Sequence, residues 1–371
     1  MGKHLIALID GTKVSAAHTA TNRSYSNVFE LACLLQILDR SKSGGPQVVF
    51  YRSGISSQPD SRNTYDLLTG NTIMSQIVDQ YTNICANYNF DAKISKDKIY
   101  LFGFSRGAMA VRALASIISE FGLLDPRQIH FLPEVIYAWE HNEGRASLSN
   151  KVNLTTVEVE FIGIFDAVMG GISKLPVFNP VRFSNHDLPS LCRHGIHIIA
   201  IDEDRPHFTH KLWTGAKSRV LRGGKEAPNP SLRTQSFRQI WMPGIHSDIG
   251  GTGNAFLGNV ALLSMVYFIE RLTGLALDKE WIEDKEWRVR KGIADKKFRI
   301  SANYMELPYR RKLESNGDFK QYYHPVCEII QICKYKIFRS KYDWRNRVFE
   351  KEFKDRVIMD DLLYKYFRRI S

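Results

Sequence analysis

Through the first 275 residues, short runs of apolar side chains alternate with longer stretches in which apolar positions recur at helical spacing. The runs are Leu5–Ile9, Val48–Tyr51, Ile99–Phe102, Val159–Phe165, Ile196–Ile201 and Gln239–Met242, and they predict strands. The helix-length stretches are Asn27–Asp39, Gly70–Tyr88, Gly107–Phe121 and Gln128–Asn142. A strand that is apolar at nearly every position has both of its faces buried, the mark of a parallel sheet with helices on both sides. Right-handed crossovers then bring every strand's C-terminal end to one edge, where sites form. The expected fold class is α/β, with a mostly parallel sheet.

Two segments break the alternation. Residues 205–237 carry Pro206, Pro228, Pro230, Gly215, Gly223 and Gly224 among scattered Lys and Arg, and read as a loop insertion beside the sheet edge. Beyond Asp278 the chain turns to Trp, Tyr, Lys, Arg and Glu, with a helical pattern over Val348–Ile370. Residues 1–278 are thus expected to form one domain, and residues 279–371 a basic, aromatic-rich, helical C-terminal region. There are no internal repeats and no low-complexity tract.

Composition narrows the class. With 371 residues, 44% hydrophobic and 12% aromatic, the chain is too apolar to be chiefly disordered. No stretch reaches the ~18 uninterrupted apolar residues of a membrane-spanning helix. The longest candidate, Ala255–Ile269, is broken by Gly258, Asn259 and Ser264 and reads as a core helix. The N-terminus lacks the pattern of a secretory signal. Five cysteines without CxxC spacing (Cys33, Cys85, Cys192, Cys327, Cys333) support neither a disulfide framework nor a zinc knuckle. Synthesis in a reducing, cytoplasmic compartment is expected.

Charge is unevenly placed. The net charge is +12, and residues 279–371 hold 24 Lys and Arg against 15 Asp and Glu. The remaining 27 basic and 24 acidic residues nearly balance. A basic surface attracts polyanions: anionic lipid, nucleic acid or an acidic protein.

The chemistry concentrates at strand ends. Gly103-Phe-Ser105-Arg-Gly107 is a GxSxG sequence set directly after a buried strand and before a helix, the arrangement of a nucleophile elbow. Glycines on both sides remove Cβ atoms that would clash in the tight turn, and the following helix directs its N-terminal N–H groups toward developing negative charge. Among eleven histidines, His246 follows the strand Gln239–Met242 and precedes Ser247-Asp-Ile-Gly-Gly251, which places it at the same sheet edge as a candidate base. His194 and His197 flank a strand and read as core residues. His207 and His210 are spaced like a weak metal pair without a third ligand nearby.

A triad also needs a carboxylate. Asp166 and Asp202 both end strands and both satisfy the order Ser…Asp…His. Asp248, two residues from His246, is the awkward third choice. Asp166 leads because Ala167, Val168, Gly170 and Gly171 make a small-residue turn after it. Asp10-Gly11-Thr12 ends the first strand, but Leu8 stands where a haloacid-dehalogenase phosphatase has its nucleophilic Asp. The better role for this loop is to supply N–H groups of Gly11 and Thr12 which, with that of Arg106, form an oxyanion hole, while Asp10 shapes the turn. Fingerprints for dinucleotides, P-loop phosphates and HExxH zinc are absent.

Together these segments resemble an α/β-hydrolase family long listed as a domain of unknown function, which includes phospholipase effectors of the type VI secretion system. The matching pieces are Leu5–Thr12, Ser26-Asn-Val28, Val49–Gly54, Ile99–Arg112 (IYLFGFSRGAMAVR), Phe161–Val168 (FIGIFDAV), Arg193–Phe208 with Ala200-Ile-Asp-Glu-Asp204, and Gln239–Gly251 (QIWMPGIHSDIGG). The resemblance implies an α/β-hydrolase-like fold, Ser105 as nucleophile, His246 as base and Asp166, above Asp202, as acid. The chain departs from the family pattern at Met109 (usually aromatic), Ala167 (threonine) and Thr252 (glycine), and has extra residues between Thr12 and Asn27.

The expected function is serine-dependent hydrolysis of lipid esters, of the phospholipase A type, without metal or cofactor. The alternatives are a soluble esterase or thioesterase on a small acyl substrate and, less favoured, a non-catalytic module that binds nucleic acid. Expected partners are an anionic phospholipid surface, met by the basic region with Trp281, Trp287 and Trp344, and a regulatory or delivery protein. Peripheral membrane association follows, and any export would proceed without a signal peptide.

Overall fold

The structure, a computed structural model, describes residues 2–12, 14, 25–36, 45–55, 70–91, 96–148, 150–169, 187–188, 191–213, 215–216, 219–222, 225–228, 236–295, 321–328 and 357–370. Eight strands form one sheet: β1 (His4–Ile9), β2 (Gln47–Arg52), β3 (Lys98–Phe104), β4 (Val159–Phe165), β5 (Cys192–Ala200), β6 (Ser236–Met242), β7 (Gln321–Tyr323) and β8 (Val357–Met359). Every neighbouring pair is parallel, in the order β2-β1-β3-β4-β5-β6-β7-β8. The order reverses at β1, which opens a crevice between the C-terminal ends of β1 and β3, where doubly wound sheets place their sites.

The unbroken apolar runs follow from this layering. In β1, Leu5, Ala7 and Ile9 face one core, while Ile6 and Leu8 face the other. The first core is closed by α2 (Gly70–Asn87), α3 (Arg106–Phe121) and α4 (Leu132–Glu140). The second is closed by α1 (Asn27–Gln36), α6 (Ala255–Leu272), α7 (Lys279–Asp295) and α8 (Asp361–Ile370). A four-residue helix, α5 (His246–Ile249), precedes α6. Helix α6 is long and apolar enough to cross a membrane, yet most of it is buried inside the protein.

The first six strands and the helices lie where the sequence pattern sets them, with ends shifted by a few residues; the stretch Gln128–Asn142 begins as a 3₁₀ turn (Pro126–Phe131) before α4. Among its described residues the insertion 205–237 holds a 3₁₀ turn (Pro206–Phe208), an antiparallel pairing of Arg219–Arg222 with Lys225–Pro228, and the start of β6. The sheet does not stop at residue 278. The C-terminal region expected to be helical supplies α7 and α8 but also β7 and β8, so Val348–Ile370 is not one helix: Val357–Met359 is a strand. Val289, Val326, Leu363 and Phe367 from this region are buried in the second core. Its described residues hold eight Lys and Arg and eight Asp and Glu, so its basic surplus lies outside the described residues.

Candidate active site

The elbow is built from close backbone approach. A Cβ on Gly103 would come within 2.6 Å of the Gly107 carbonyl oxygen, and one on Gly107 within 2.3 Å of the Ile9 carbonyl oxygen. Only glycine lets β3 turn into α3 beneath β1. Between them Ser105 adopts φ 59°, ψ −126°, a conformation that is costly for any side-chain-bearing residue. Its N–H donates to the Phe165 carbonyl at 3.1 Å, so the end of β4 holds the strained turn.

Asp166 directly follows β4, and since Phe104 pairs with Phe165 in register, Ser105 and Asp166 leave adjacent strands side by side. Asp166 also has positive φ, 39°. Its Oδ1 accepts the Ala200 N–H of β5 at 3.0 Å, and its Oδ2 lies 2.6 Å from His246 Nδ1. On the other side of the ring, His246 Nε2 lies 2.9 Å from Ser105 Oγ. All three residues are buried. The carboxylate at Nδ1 fixes the tautomer: Nδ1–H donates to Asp166 and Nε2 accepts the serine O–H.

The competing carboxylates are occupied elsewhere. Asp202 accepts the Gly244 N–H at 2.8 Å, and Asp248 accepts the N–H groups of Ile245 and Asn254 at 3.1 and 2.7 Å. Both therefore shape the loop that carries His246, and neither is its partner at Nδ1. His197 lies beneath the acid, its Nε2 accepting the Ala167 N–H at 3.2 Å. His207 is exposed and His210 is buried against the ring of Trp241, while His194 is half-buried on β5. Gly170 and Gly171 lie outside the described residues.

The loop after β1 differs in detail from the expected oxyanion donor. The Gly11 N–H donates to Asp10 Oδ1 at 2.7 Å, which engages it within the turn and leaves Thr12 as the loop's candidate. Thr12 Oγ1 accepts from Arg106 Nε at 2.5 Å, so the β1 loop and the start of α3 are tied together. Burial lowers the Arg106 pKa to about 10, and the guanidinium remains charged at neutral pH. Asp10 is fully buried; its Oδ2 accepts the hydroxyls of Ser26 at 2.5 Å and Tyr51 at 2.9 Å. Desolvation nonetheless raises its pKa to about 6, against the three hydrogen bonds that favour its charge.

Sequence reasoning passed over the residues around the base. Glu203, fully buried, accepts the His246 backbone N–H through Oε2 at 3.1 Å. The ring of His246 sits between Phe104 (centroids 4.6 Å) and the edge of Phe208 (4.9 Å). Glu203 lies within the matched stretch Ala200–Asp204, which was the one signal that this loop mattered.

Fold and site define a three-layer α/β protein with a serine, a histidine and an aspartate hydrogen-bonded in series at the C-terminal edge of a parallel sheet. Residues 3–271 match the family model for the catalytic domain of type VI secretion system Tle1-like phospholipase effectors, and the chain belongs to that family. An uncharacterized protein of Saccharomyces cerevisiae is 28% identical over 238 residues, covering 57% of this chain and 33% of its own length. Two solved structures are similar. An uncharacterized protein from Pseudomonas aeruginosa has TM-score 0.45 and 18% identity, over 77% of this chain and 48% of that one. The Tle1 effector bound to the VgrG spike of the type VI secretion system has TM-score 0.37 and 22% identity, over 67% and 51%. The chain thus spans about a third of the curated relative it matches and about half of each solved chain.

Proposed function

We propose that this protein is a serine hydrolase of lipid esters, with phospholipase A-type activity. The observation that carries the reading is the series Asp166–His246–Ser105, with contacts of 2.6 and 2.9 Å, on a strained elbow. His246 takes the Ser105 proton as Oγ attacks an acyl carbonyl, and Asp166 holds the resulting imidazolium. The N–H of Arg106, at the start of α3, and that of Thr12 stabilise the tetrahedral oxyanion. His246 returns the proton to the departing alcohol, then activates water to release the fatty acid.

Family membership supports lipid over a small soluble ester as substrate. Access to an anionic membrane is proposed for the C-terminal region on its basic surplus. In its described part Trp287 is exposed, with the Lys291 ammonium 5.0 Å from its ring centre, whereas Trp281 packs against the core; Trp344 lies outside the described residues. The protein is then cytoplasmic by synthesis and peripheral at the membrane, and a delivery or regulatory partner, such as the spike is for the Tle1 effector, belongs to the same proposal. The test is product analysis on vesicles of defined phospholipid. Wild type should release fatty acid and lysophospholipid, and undiminished hydrolysis by Ser105→Ala would refute the reading.

A further inference from the structure

The loop after β5 does more than close the sheet edge. Glu203 accepts the backbone N–H of His246 through Oε2 and binds Arg205 through both oxygens, Nε to Oε1 at 2.7 Å and Nη2 to Oε2 at 3.0 Å. Arg205 lies over Phe208, its guanidinium carbon 3.6 Å from the ring centre, and that ring meets the imidazole at 69°. The rest of the loop is anchored to the elements that carry the other two residues of the series. Lys211 donates its N–H to the Ala167 carbonyl at 2.9 Å, and the buried Arg112 of α3 donates to the Lys211 carbonyl at 2.6 Å.

We infer that Glu203, Arg205 and Phe208 are positioning residues for His246. Glu203 fixes the main chain of the base and Phe208 fixes the plane of its ring. Arg205 joins the two, pairing its guanidinium with the carboxylate that holds the His246 N–H while lying over the ring that meets the imidazole. Among the described residues, the charged groups on the loops and helix ends around His246 are Asp10 after β1, Asp166 after β4, Asp202, Glu203, Asp204, Arg205 and Lys211 after β5, Asp248 in α5, and Arg106 and Arg112 on α3. Within this set Glu203 and Arg205 form a compensated pair, so each one's removal changes the field at the base in an opposite sense. A carboxylate favours the imidazolium and a guanidinium opposes it.

The inference rests on the serine-hydrolase reading, and the experiment separates the two. Rates on p-nitrophenyl butyrate are measured from pH 5 to 9 for wild type, Arg205→Gln, Glu203→Gln and the double variant, with fluorophosphonate labelling and Ser105→Ala as controls. Arg205→Gln is expected to move the acid limb of kcat up by about one pH unit, and Glu203→Gln to move it down, at nearly constant KM. The double variant should return it toward wild type. If Arg205→Gln does not fold, Arg205→Lys keeps the charge and gives up the planar contact; the limb then stays and plateau kcat falls severalfold. Acid limbs that coincide in all folded variants, or an Arg205→Lys kcat equal to wild type, would overturn the inference while an inert Ser105→Ala left the parent reading intact. An active Ser105→Ala would overturn both.

Discussion

Arg238 on β6 donates from Nη1 to Asp360 Oδ2 at 2.8 Å, joining residues 122 positions apart and tying the start of α8 to a strand two places in from the β8 edge. Asp360 is completely buried and also accepts the N–H groups of Leu362 and Leu363, so one carboxylate serves as ion-pair partner and helix cap. Arg238 in turn lies over the ring of Tyr322, 4.6 Å from its centre. Removing one side of such a pair leaves the other buried without compensation. Asp360→Ala is therefore expected to destabilise the protein by roughly 3–5 kcal/mol, read from urea unfolding.

The same packing bears on the extent of the folding unit. The family match ends at residue 271, yet β7, β8, α7 and α8 complete the sheet and the second core. A chain cut after Leu272 would expose the β6 edge and the apolar face of α6. Such a fragment is expected to aggregate or bind a hydrophobic dye, whereas the full chain melts cooperatively; a soluble, cooperatively melting fragment would contradict this.

The proposed nucleophile sits on backbone that opposes it. At φ 59° and ψ −126°, Ser105 carries a steric cost that glycine does not. Ser105→Gly should abolish ester hydrolysis and raise stability by about 1 kcal/mol, a difference that thermal melting would detect. A drop in melting temperature would mean that the serine hydroxyl contributes more than the strain removes.

Asp166 has a separable role. Asp166→Asn preserves volume but removes the charge that holds Nδ1–H and balances the imidazolium. If the proposed triad operates, kcat is expected to fall by about 10⁴-fold with little change in KM. The equivalent changes at Asp202 or Asp248 should act instead through the His246 loop, lowering stability before chemistry. A loss of 10⁴ in Asp202→Asn with unchanged melting would reassign the acid.

Asp10 gives a pH-dependent stability term whose sign is fixed by its shift. Its folded pKa, about 6, lies above the unfolded value of 3.8, so the folded state prefers the protonated form. The stabilisation is fully present below pH ~4 and is lost as pH rises through about 6, amounting to about 3 kcal/mol. In Asp10→Asn the hydroxyls of Ser26 and Tyr51 can turn to accept, so this term should vanish. The gap in melting temperature between variant and wild type should widen from pH 4.5 to 7.5; a constant gap would contradict the shift.

Much of this was legible in the sequence because the sheet is parallel and doubly covered. Continuous runs such as Val159–Phe165 mark such strands, and Gly103 and Gly107 mark a turn where a Cβ would meet backbone on either side of Ser105. The three-residue strands Gln321–Tyr323 and Val357–Met359 were not legible, since so short a segment has no period; the first pairs with the free edge of β6 and the second with that of β7. Nor could spacing separate Asp166 from Asp202. Both end adjacent strands, and the choice depends on which carboxylate the loop of His246 crosses. Glu203 and Phe208 have no signature in spacing, because they meet His246 through one backbone N–H and one ring contact, which leave no pattern along the chain.

The peptide groups of the elbow carry a consequence for variation. Ser105 donates its N–H to Phe165 and accepts that of Val168 on its carbonyl, so the residue is stitched on both sides to the turn that bears Asp166. Side-chain substitutions around the site can reshape what enters it without altering the distance between attacking oxygen and carboxylate. An insertion or deletion of a single residue between Phe104 and Val168 at either strand end would change that distance at once. Tolerance of the site should therefore be broad for replacement and narrow for length.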